Sequence, residues 1–321
     1  MHRCLKLAEQ GQRKVGANPL VGAVLVRDGT IIAEAYHEGF GKRHAERAIL
    51  EEYSGAIEST DILYVNLEPC CHTGKTPACT DIIRERGVKH VVFGMIDPDS
   101  KVKGKGIACL REAGIEITGP VERARCEWFN RGFVSLRTRK RPWVTLREAR
   151  ARNGAIARPD GSPMKITSRA QNRWVHEWLR GRHDAILVGV QTIVTDDPQL
   201  TVRFDLPLPS PLRVVLDPRL RIPLTARVIS GDLAAGTLIV TGPKQDPSRT
   251  KTLHERGVRI AEVPLENGGF DLAALWSALM TPTDSFHGIA SVLIEGGAET
   301  WRNFRSAGMI DAEVALEGAW Q

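Results

Sequence analysis

The sequence predicts two consecutive α/β domains, and three observations carry that expectation. The chain has 321 residues, more than one hydrophobic core usually spans and enough for two domains that each bury their own. Apolar runs of strand length alternate with helix-spaced segments in both halves, the pattern of layered α/β structure. Between the two alternations lies Leu136 to Pro142, which carries Arg137, Arg139, Lys140 and Arg141 ahead of a proline and reads as an exposed connection. Domains are therefore expected over 1–140 and 141–321.

Met1 to Lys14 mixes basic, acidic and apolar residues without a continuous apolar stretch, so it reads as a helix and not as a signal peptide. The turn Gly16-Ala17-Asn18-Pro19 leads into a strand at Leu20 to Val26, and Asp28-Gly29 marks a hairpin into Ile31 to Tyr36. A helix at His44 to Tyr53, a strand at Ile62 to Leu67, a polar loop, a helix at Cys79 to Arg86 and a strand at Val88 to Met95 follow. A helix at Gly104 to Ala113, a short strand at Ile115 to Thr118 and a helix at Glu122 to Phe133 complete the first half. In the second half, strands are expected at Trp143 to Glu148, Ala185 to Gly189, Val214 to Asp217, Leu238 to Thr241 and Val292 to Ile294. Helices near Arg169 to Leu179 and Ala298 to Ala307 connect them, so the sheet should be largely parallel.

Hydrophobic residues at 42% and charged residues at 26% exclude a largely disordered or fibrous chain. No apolar run reaches the roughly 18 residues a membrane span needs, and a cytoplasmic location is expected. Cys70, Cys71 and Cys79 cluster while Cys4, Cys109 and Cys126 lie apart, which suits metal ligation better than a disulfide framework. The net charge of +6 fits a nucleic acid, a phosphorylated small substrate, or simply a solvated surface.

The sharpest chemical signal is His44-Ala45-Glu46, followed by Pro69-Cys70 and then by Cys79. One imidazole and two thiolates are the three protein ligands of a catalytic zinc site, whose fourth tetrahedral position is left to water. Glu46, at a helix start, projects beside that open position, which suits a proton shuttle and not a ligand. Zinc brings the pKa of a water from 15.7 to roughly 7, so the matching substrate is an amino-substituted, amidine-like ring carbon. Cys79 opens a helix, and the partial positive charge there favours its thiolate. Taken singly, each residue reads as surface or inert core; the ordered combination is the signature of zinc nucleobase deaminases. Those enzymes pack the cysteines as Cys-x-x-Cys, whereas eight residues separate Cys70 from Cys79 here. The longer loop places extra donors at the pocket mouth, suited to a substrate larger or more anionic than cytosine. Cys4, Cys71, Cys109 and Cys126 have no partner spaced to use them.

Asn18-Pro19-Leu20-Val21-Gly22-Ala23-Val24, the His44-Ala45-Glu46 motif and Leu67-Glu68-Pro69-Cys70-Cys71-His72-Thr73-Gly74-Lys75-Thr76-Pro77-Ala78-Cys79 together resemble the riboflavin-biosynthesis deaminase/reductase family. The resemblance extends through Asp97-Pro98, Gly104-Lys105-Gly106, Asp184 to Gly189, Thr195 to Pro198, Leu200 to Arg203 and Leu293 to Ala298, covering nearly the whole chain. It implies a cytidine-deaminase-like three-layer domain that uses Zn2+ to hydrolyse the 2-amino group of 2,5-diamino-6-(5-phosphoribosylamino)pyrimidin-4-one. It implies a second, dihydrofolate-reductase-like α/β domain that reduces the ribosyl group to ribityl with NADPH. By the same resemblance Asn18, His37, His72, Lys75 and Asp97 line the deaminase pocket. Thr192, Asp196, Gly297, Ala298, Glu299 and Thr300 contact the nucleotide, and Arg180, Leu200, Arg203 and Glu295 face the reductase substrate. Read without it, the deaminase residues are equally turn or surface residues, and Arg180 and Arg203 equally phosphate binders or surface charges. Glu295-Gly296-Gly297 ends a strand and opens a helix, where backbone N–H groups meet phosphate. The expected partners are this small substrate and further copies of the chain in a homo-oligomer, with no nucleic acid and no membrane.

Some residues depart from the family pattern. Arg147 stands where the family has lysine, and Ala151, Arg152, Asn153 and Gly154 replace Ser-Leu-Asp-Gly. Pro163 and Lys165 replace a serine and a tryptophan, and the chain ends at Gln321, soon after strand-like Ile310 to Leu316. The second domain is therefore expected to be truncated at its C-terminus, with an exposed sheet edge. Three readings stand at this point: a bifunctional enzyme, a deaminase whose second domain only binds or assembles, and a nucleic-acid base deaminase.

Overall fold

The structure is a computed structural model; it describes the chain except for residues 73, 75, 156–163, 165, 207, 267, 283–285 and 319–321. The chain forms two compact units: Met1–Arg141 with Pro282–Ala290, and Pro142–Thr281 with Ser291–Gln321. The inclusion of Pro282–Ala290 in the first unit differs from a single division near residue 140, and no periodicity in that segment signals it.

In the first unit β1 (Gly22–Arg27), β2 (Thr30–Tyr36), β3 (Ile62–Val65), β4 (His90–Phe93) and β5 (Glu116–Thr118) form one sheet in the order β2-β1-β3-β4-β5. β1 pairs antiparallel with both β2 and β3, while β3, β4 and β5 run parallel. The β1–β2 turn uses Asp28 and Gly29 at φ 46° and 77°, the left-handed pair a tight hairpin needs. Each strand face is covered by helix. Cys4 and Leu7 of the helix His2–Ala8 pack on Val24, whereas Ile49 and Leu50 of Ala45–Glu52 and Ile82 and Ile83 of Cys79–Glu85 pack with Ala23, Leu25, Leu63 and Val91. The result is a three-layer α/β/α arrangement.

The helix expected over Glu122 to Phe133 divides at Asn130 into Arg123–Phe129 and Arg131–Arg139. The second of these runs through the basic stretch expected to be an exposed connection. Phe133 and Leu136, three apart on one helix face, are buried and keep the chain helical until Lys140 turns left-handed at φ 59°.

In the second unit β6 (Trp143–Ala151), β7 (Ala185–Gly189), β8 (Leu212–Leu216), β9 (Thr237–Thr241), β10 (Arg259–Glu262), β13 (Ser291–Ile294) and β14 (Ala312–Gly318) form a sheet in the order β10-β9-β8-β7-β13-β6-β14. β11 (Leu265–Glu266) and β12 (Gly269–Phe270) make a separate small hairpin. Every pair in the seven-stranded sheet is parallel, and β7, β9 and β13 are buried along almost their whole length, as both-face cover by helices requires. Parallel strands put all their C-terminal ends on one side, where open α/β sheets bind ligands. The helices Val190–Asp196 and Ala298–Ser306 start there, after the neighbouring strands β7 and β13. Among the described residues no helix is long and apolar enough to cross a membrane.

Candidate functional site

The three expected metal ligands come together in the first unit. His44 precedes the helix Ala45–Glu52, Cys70 lies in the turn after β3, and Cys79 opens the helix Cys79–Glu85. His44 Nδ1 lies 3.5 Å from Cys70 Sγ and 3.4 Å from Cys79 Sγ. A tetrahedral ion with Zn–N of about 2.0 Å and Zn–S of about 2.3 Å imposes an N···S separation of about 3.5 Å, so the donors stand at the spacing of a zinc centre. Cys70 Sγ also accepts the N–H of Cys79 at 3.3 Å.

Hydrogen bonds with Cys79 and His44 hold the Cys70 thiol down to about 4. Cys79 departs from expectation: its hydrogen bond with Cys70 and its own burial push it up, which outweighs the partial charge at a helix start. Both sulfurs can be thiolates together once a divalent cation lies between them, which is what a His-Cys-Cys donor set provides for. Glu46 is buried against Cys79, and burial pushes its carboxyl up.

A cavity of about 270 Å³ opens on His44, Glu46 and Cys70 and is also lined by Asn18, His37, His72 and Asp97. Lys75, expected beside them, lies outside the described residues. His37 is buried, with Nδ1 2.9 Å from Arg43 O and its ring edge-on to His44. The Asn18-Pro19 segment is fixed from beneath. Asn130 Oδ1 accepts the Leu20 N–H at 2.8 Å, and the amides of Asn130 and Asn66 both donate to Leu20 O at 3.0 Å. Glu68 organises the opposite wall. Its carboxylate accepts N–H groups of Asp97 at 3.1 Å, Gly104 at 2.9 Å, Gly106 at 3.0 Å and Ile107 at 3.3 Å. Gly106 is required there, since a Cβ would stand 1.9 Å from Pro69 O.

Several lining residues were not anticipated. Phe40, Lys42 and Arg137 all face the cavity, and Arg137 stacks over the Phe133 ring, 5.1 Å from its centroid, with Nε 3.1 Å from Asp99 Oδ2. Helical spacing from Phe133 to Arg137 was the available signal, masked by the basic residues around it.

In the second unit Arg180 and Glu295 meet across 115 residues of sequence in a bidentate pair, Nε to Oε1 at 2.9 Å and Nη2 to Oε2 at 2.8 Å. Arg147 Nη1 stands 3.9 Å from the same carboxylate. Burial pushes the Glu295 carboxyl up, but Arg180 and Arg147 outweigh it and hold it down to about 2. Leu200 is buried and Arg203 exposed in the loop beyond. Thr192 and Asp196 lie in the helix Val190–Asp196, Gly297 caps Ala298–Ser306, and Ala298, Glu299 and Thr300 form its first turn. The space over Gly297 is open, so that turn can receive a phosphate. Pro163 and Lys165 lie outside the described residues.

Residues 1–95 match the family described as the cytidine and deoxycytidylate deaminase zinc-binding region, and residues 142–316 match the RibD C-terminal domain. The chain belongs to the RibD family. The riboflavin biosynthesis protein RibD of Aquifex aeolicus is 38% identical over 98% of this chain and 85% of its own length. That of Bacillus amyloliquefaciens is 36% identical over 97% and 81%. Among solved structures, RibD of Acinetobacter baumannii superposes with a TM-score of 0.82 at 31% identity, covering 98% of this chain and 85% of that one. A diaminohydroxyphosphoribosylaminopyrimidine deaminase/5-amino-6-(5-phosphoribosylamino)uracil reductase from Thermotoga maritima does so at 0.81 and 33%, covering 99% and 85%.

As a RibD-family chain it carries a deaminase domain, matched to zinc, followed by a reductase domain, matched to NADPH. Asp97 gives the cavity a titratable wall. Burial raises its carboxyl to about 6, so its anion is lost as pH falls through 6. If that anion accepts a substrate N–H, Michaelis constants for deamination should rise on the acid limb, and Asp97→Asn should abolish the limb while raising KM about tenfold. A carboxyl with a raised folded pKa favours the fold below its unfolded pKa and loses that contribution as pH climbs through 6. At pH 8 Asp97→Asn should therefore melt higher than the parent, and a lower melting temperature would contradict the assignment.

Proposed function

We propose that the chain hydrolytically deaminates 2,5-diamino-6-(5-phosphoribosylamino)pyrimidin-4-one in its first unit and reduces the ribosyl group of the product to ribityl with NADPH in its second. The observation that carries the first half is the pair of 3.4–3.5 Å separations from His44 Nδ1 to the two sulfurs. His44, Cys70 and Cys79 would hold zinc. When bound, the ion supplies the Lewis acidity that makes hydroxide accessible at neutral pH.

The chain's own residues do the rest. Glu46 takes one proton of the attacking water and passes it to a ring nitrogen, then takes the remaining proton from the added hydroxyl and delivers it to the amino group, which departs as ammonia as the carbonyl forms. Its burial raises the carboxyl, which favours its holding a proton between the two transfers. Asp97, held by Glu68 through its backbone, and Asn18, held by Asn66 and Asn130 through Leu20, orient the pyrimidine. His72, Lys75, Lys42 and Arg137 supply cationic or donor groups around the ribosyl phosphate. In the second unit Thr192, Asp196 and the turn Gly297 to Thr300 take the nucleotide, and Arg180, Leu200, Arg203 and Glu295 face the substrate. The reading includes a small anionic substrate in place of a nucleic acid, a cytoplasmic location and a homo-oligomeric assembly.

A second reading keeps deamination and gives the other unit a binding role only. The turn after β6 favours it: Asn153 spends its Oδ1 on the Ala155 N–H at 3.0 Å, and Ala151, Arg152 and Gly154 offer no carboxylate there. One experiment separates the two. The purified chain is given the diaminopyrimidinone with NADPH, and ammonia and absorbance at the nicotinamide band are followed together. Bifunctional action releases ammonia first and consumes NADPH after it. A zinc chelator should stop ammonia release yet leave NADPH consumption intact when the deaminated compound is supplied. Ammonia without NADPH consumption supports the second reading, and chelator-insensitive ammonia release defeats both.

A further inference from the structure

We propose that His176 is a positioning residue of the second unit, holding the backbone of Arg203 so that the Arg203 guanidinium meets the phosphate of the substrate; this rests on the reductase reading above. The helix Arg169–Trp174 continues into a π turn, Val175–Leu179, a widened turn bonded i to i+5 that recurs at functional sites. It directs two side chains at one loop. His176 Nδ1 accepts the Arg203 N–H at 2.9 Å, and Arg180 Nη1 donates to Thr201 O at 3.1 Å. The His176 ring is buried and edge-on to Phe204, the centroids 5.1 Å apart.

The loop needs such clamps. Leu200, Phe204 and Asp205 have φ of 54°, 70° and 51°, left-handed conformations that cost residues with side chains free energy and persist only where the surroundings impose them. Accepting the Arg203 N–H requires an unprotonated Nδ1, and burial, with Arg180 and Arg203 nearby, holds the His176 imidazole down to about 4. Arg180 is committed to Glu295. Among the described residues the guanidinium of Arg203 makes no hydrogen bond or ion pair, so it is free for an incoming anion, and the loop backbone decides where it points.

The test compares the parent chain with His176→Phe, which keeps a ring against Phe204 but removes the acceptor, and His176→Asn, whose amide oxygen replaces Nδ1. Binding of 5-amino-6-(5-phosphoribosylamino)uracil and of its dephosphorylated ribosyl form is measured by calorimetry, and NADPH-dependent turnover alongside. His176→Phe should weaken the phosphorylated compound about tenfold or more, leave the dephosphorylated one within about twofold, and raise KM more than it lowers kcat. His176→Asn should restore most of the loss, and deamination should be unaffected by either change. Equal weakening of both compounds, or no weakening, overturns the proposal. A parent chain that binds the phosphorylated compound without consuming NADPH refutes the reductase reading, and the affinity comparison still decides the role of His176. If His176→Phe does not fold, His176→Leu, which also lacks an acceptor, is held to the same criteria.

Discussion

Glu46→Gln is expected to leave the bound metal in place and to lower ammonia release by about 10³- to 10⁴-fold. The amide fills the volume of the carboxylate, so the His44, Cys70 and Cys79 separations have no reason to change. What it cannot do is take a proton from water and return one to the leaving amine. Elemental analysis gives the metal content, and an ammonia assay the rate. Loss of metal together with loss of rate would make Glu46 a support of the centre and not its proton carrier, and an unchanged rate would remove it from the chemistry.

The second large effect is on stability. Glu295→Gln should lower the stability of the second unit by about 3–5 kcal/mol, because it strands Arg180 and Arg147 without their counter-charge in a buried place. The Arg180 and Glu295 side chains are only 12% and 5% exposed, so water cannot substitute for the lost carboxylate. The depressed Glu295 carboxyl gives a consistent magnitude: a value of about 2 against 4.5 corresponds to about 3 kcal/mol. That contribution is present above the unfolded carboxyl pKa and fades as pH falls toward 2. Urea unfolding at neutral pH checks the loss. Adding Arg180→Met to Glu295→Gln should recover most of it, since removing both partners costs far less than breaking the pair. Failure of the double variant to recover would mean that packing, and not charge, holds this crevice.

The clustering of His44, Cys70 and Cys79 was legible in the sequence because they combine scarce residue types in an order tied to one chemistry. Strand positions such as β7 and β13 were legible for a similar reason: a parallel strand covered on both faces reads as an unbroken apolar run. The pocket wall was not. Arg137 belongs to a run of basic residues whose composition says solvent, and only the burial of Phe133 and Leu136 turns that helix so that one guanidinium faces the cavity. Glu68, Asn66 and Asn130 act through backbone groups of Asp97, Gly104 and Leu20, and such contacts leave no residue-type pattern. The same holds for the closure of the strained Leu200–Asp205 loop by His176, which depends on one hydrogen bond.

Because Pro282–Ala290 belongs to the first unit, where His287 stacks on Phe40 at 4.4 Å and His287 O accepts the Ala17 N–H at 3.1 Å, the N-terminal unit is finished by residues translated long after Arg141. A nascent chain that has emerged only as far as Arg141 lacks the strap over Phe40, a residue of the cavity wall. Ribosomal synthesis thus delivers the two units as one interleaved product, and a fragment cut after Arg141 is an incomplete unit, unlike a module joined to its neighbour by a simple tether.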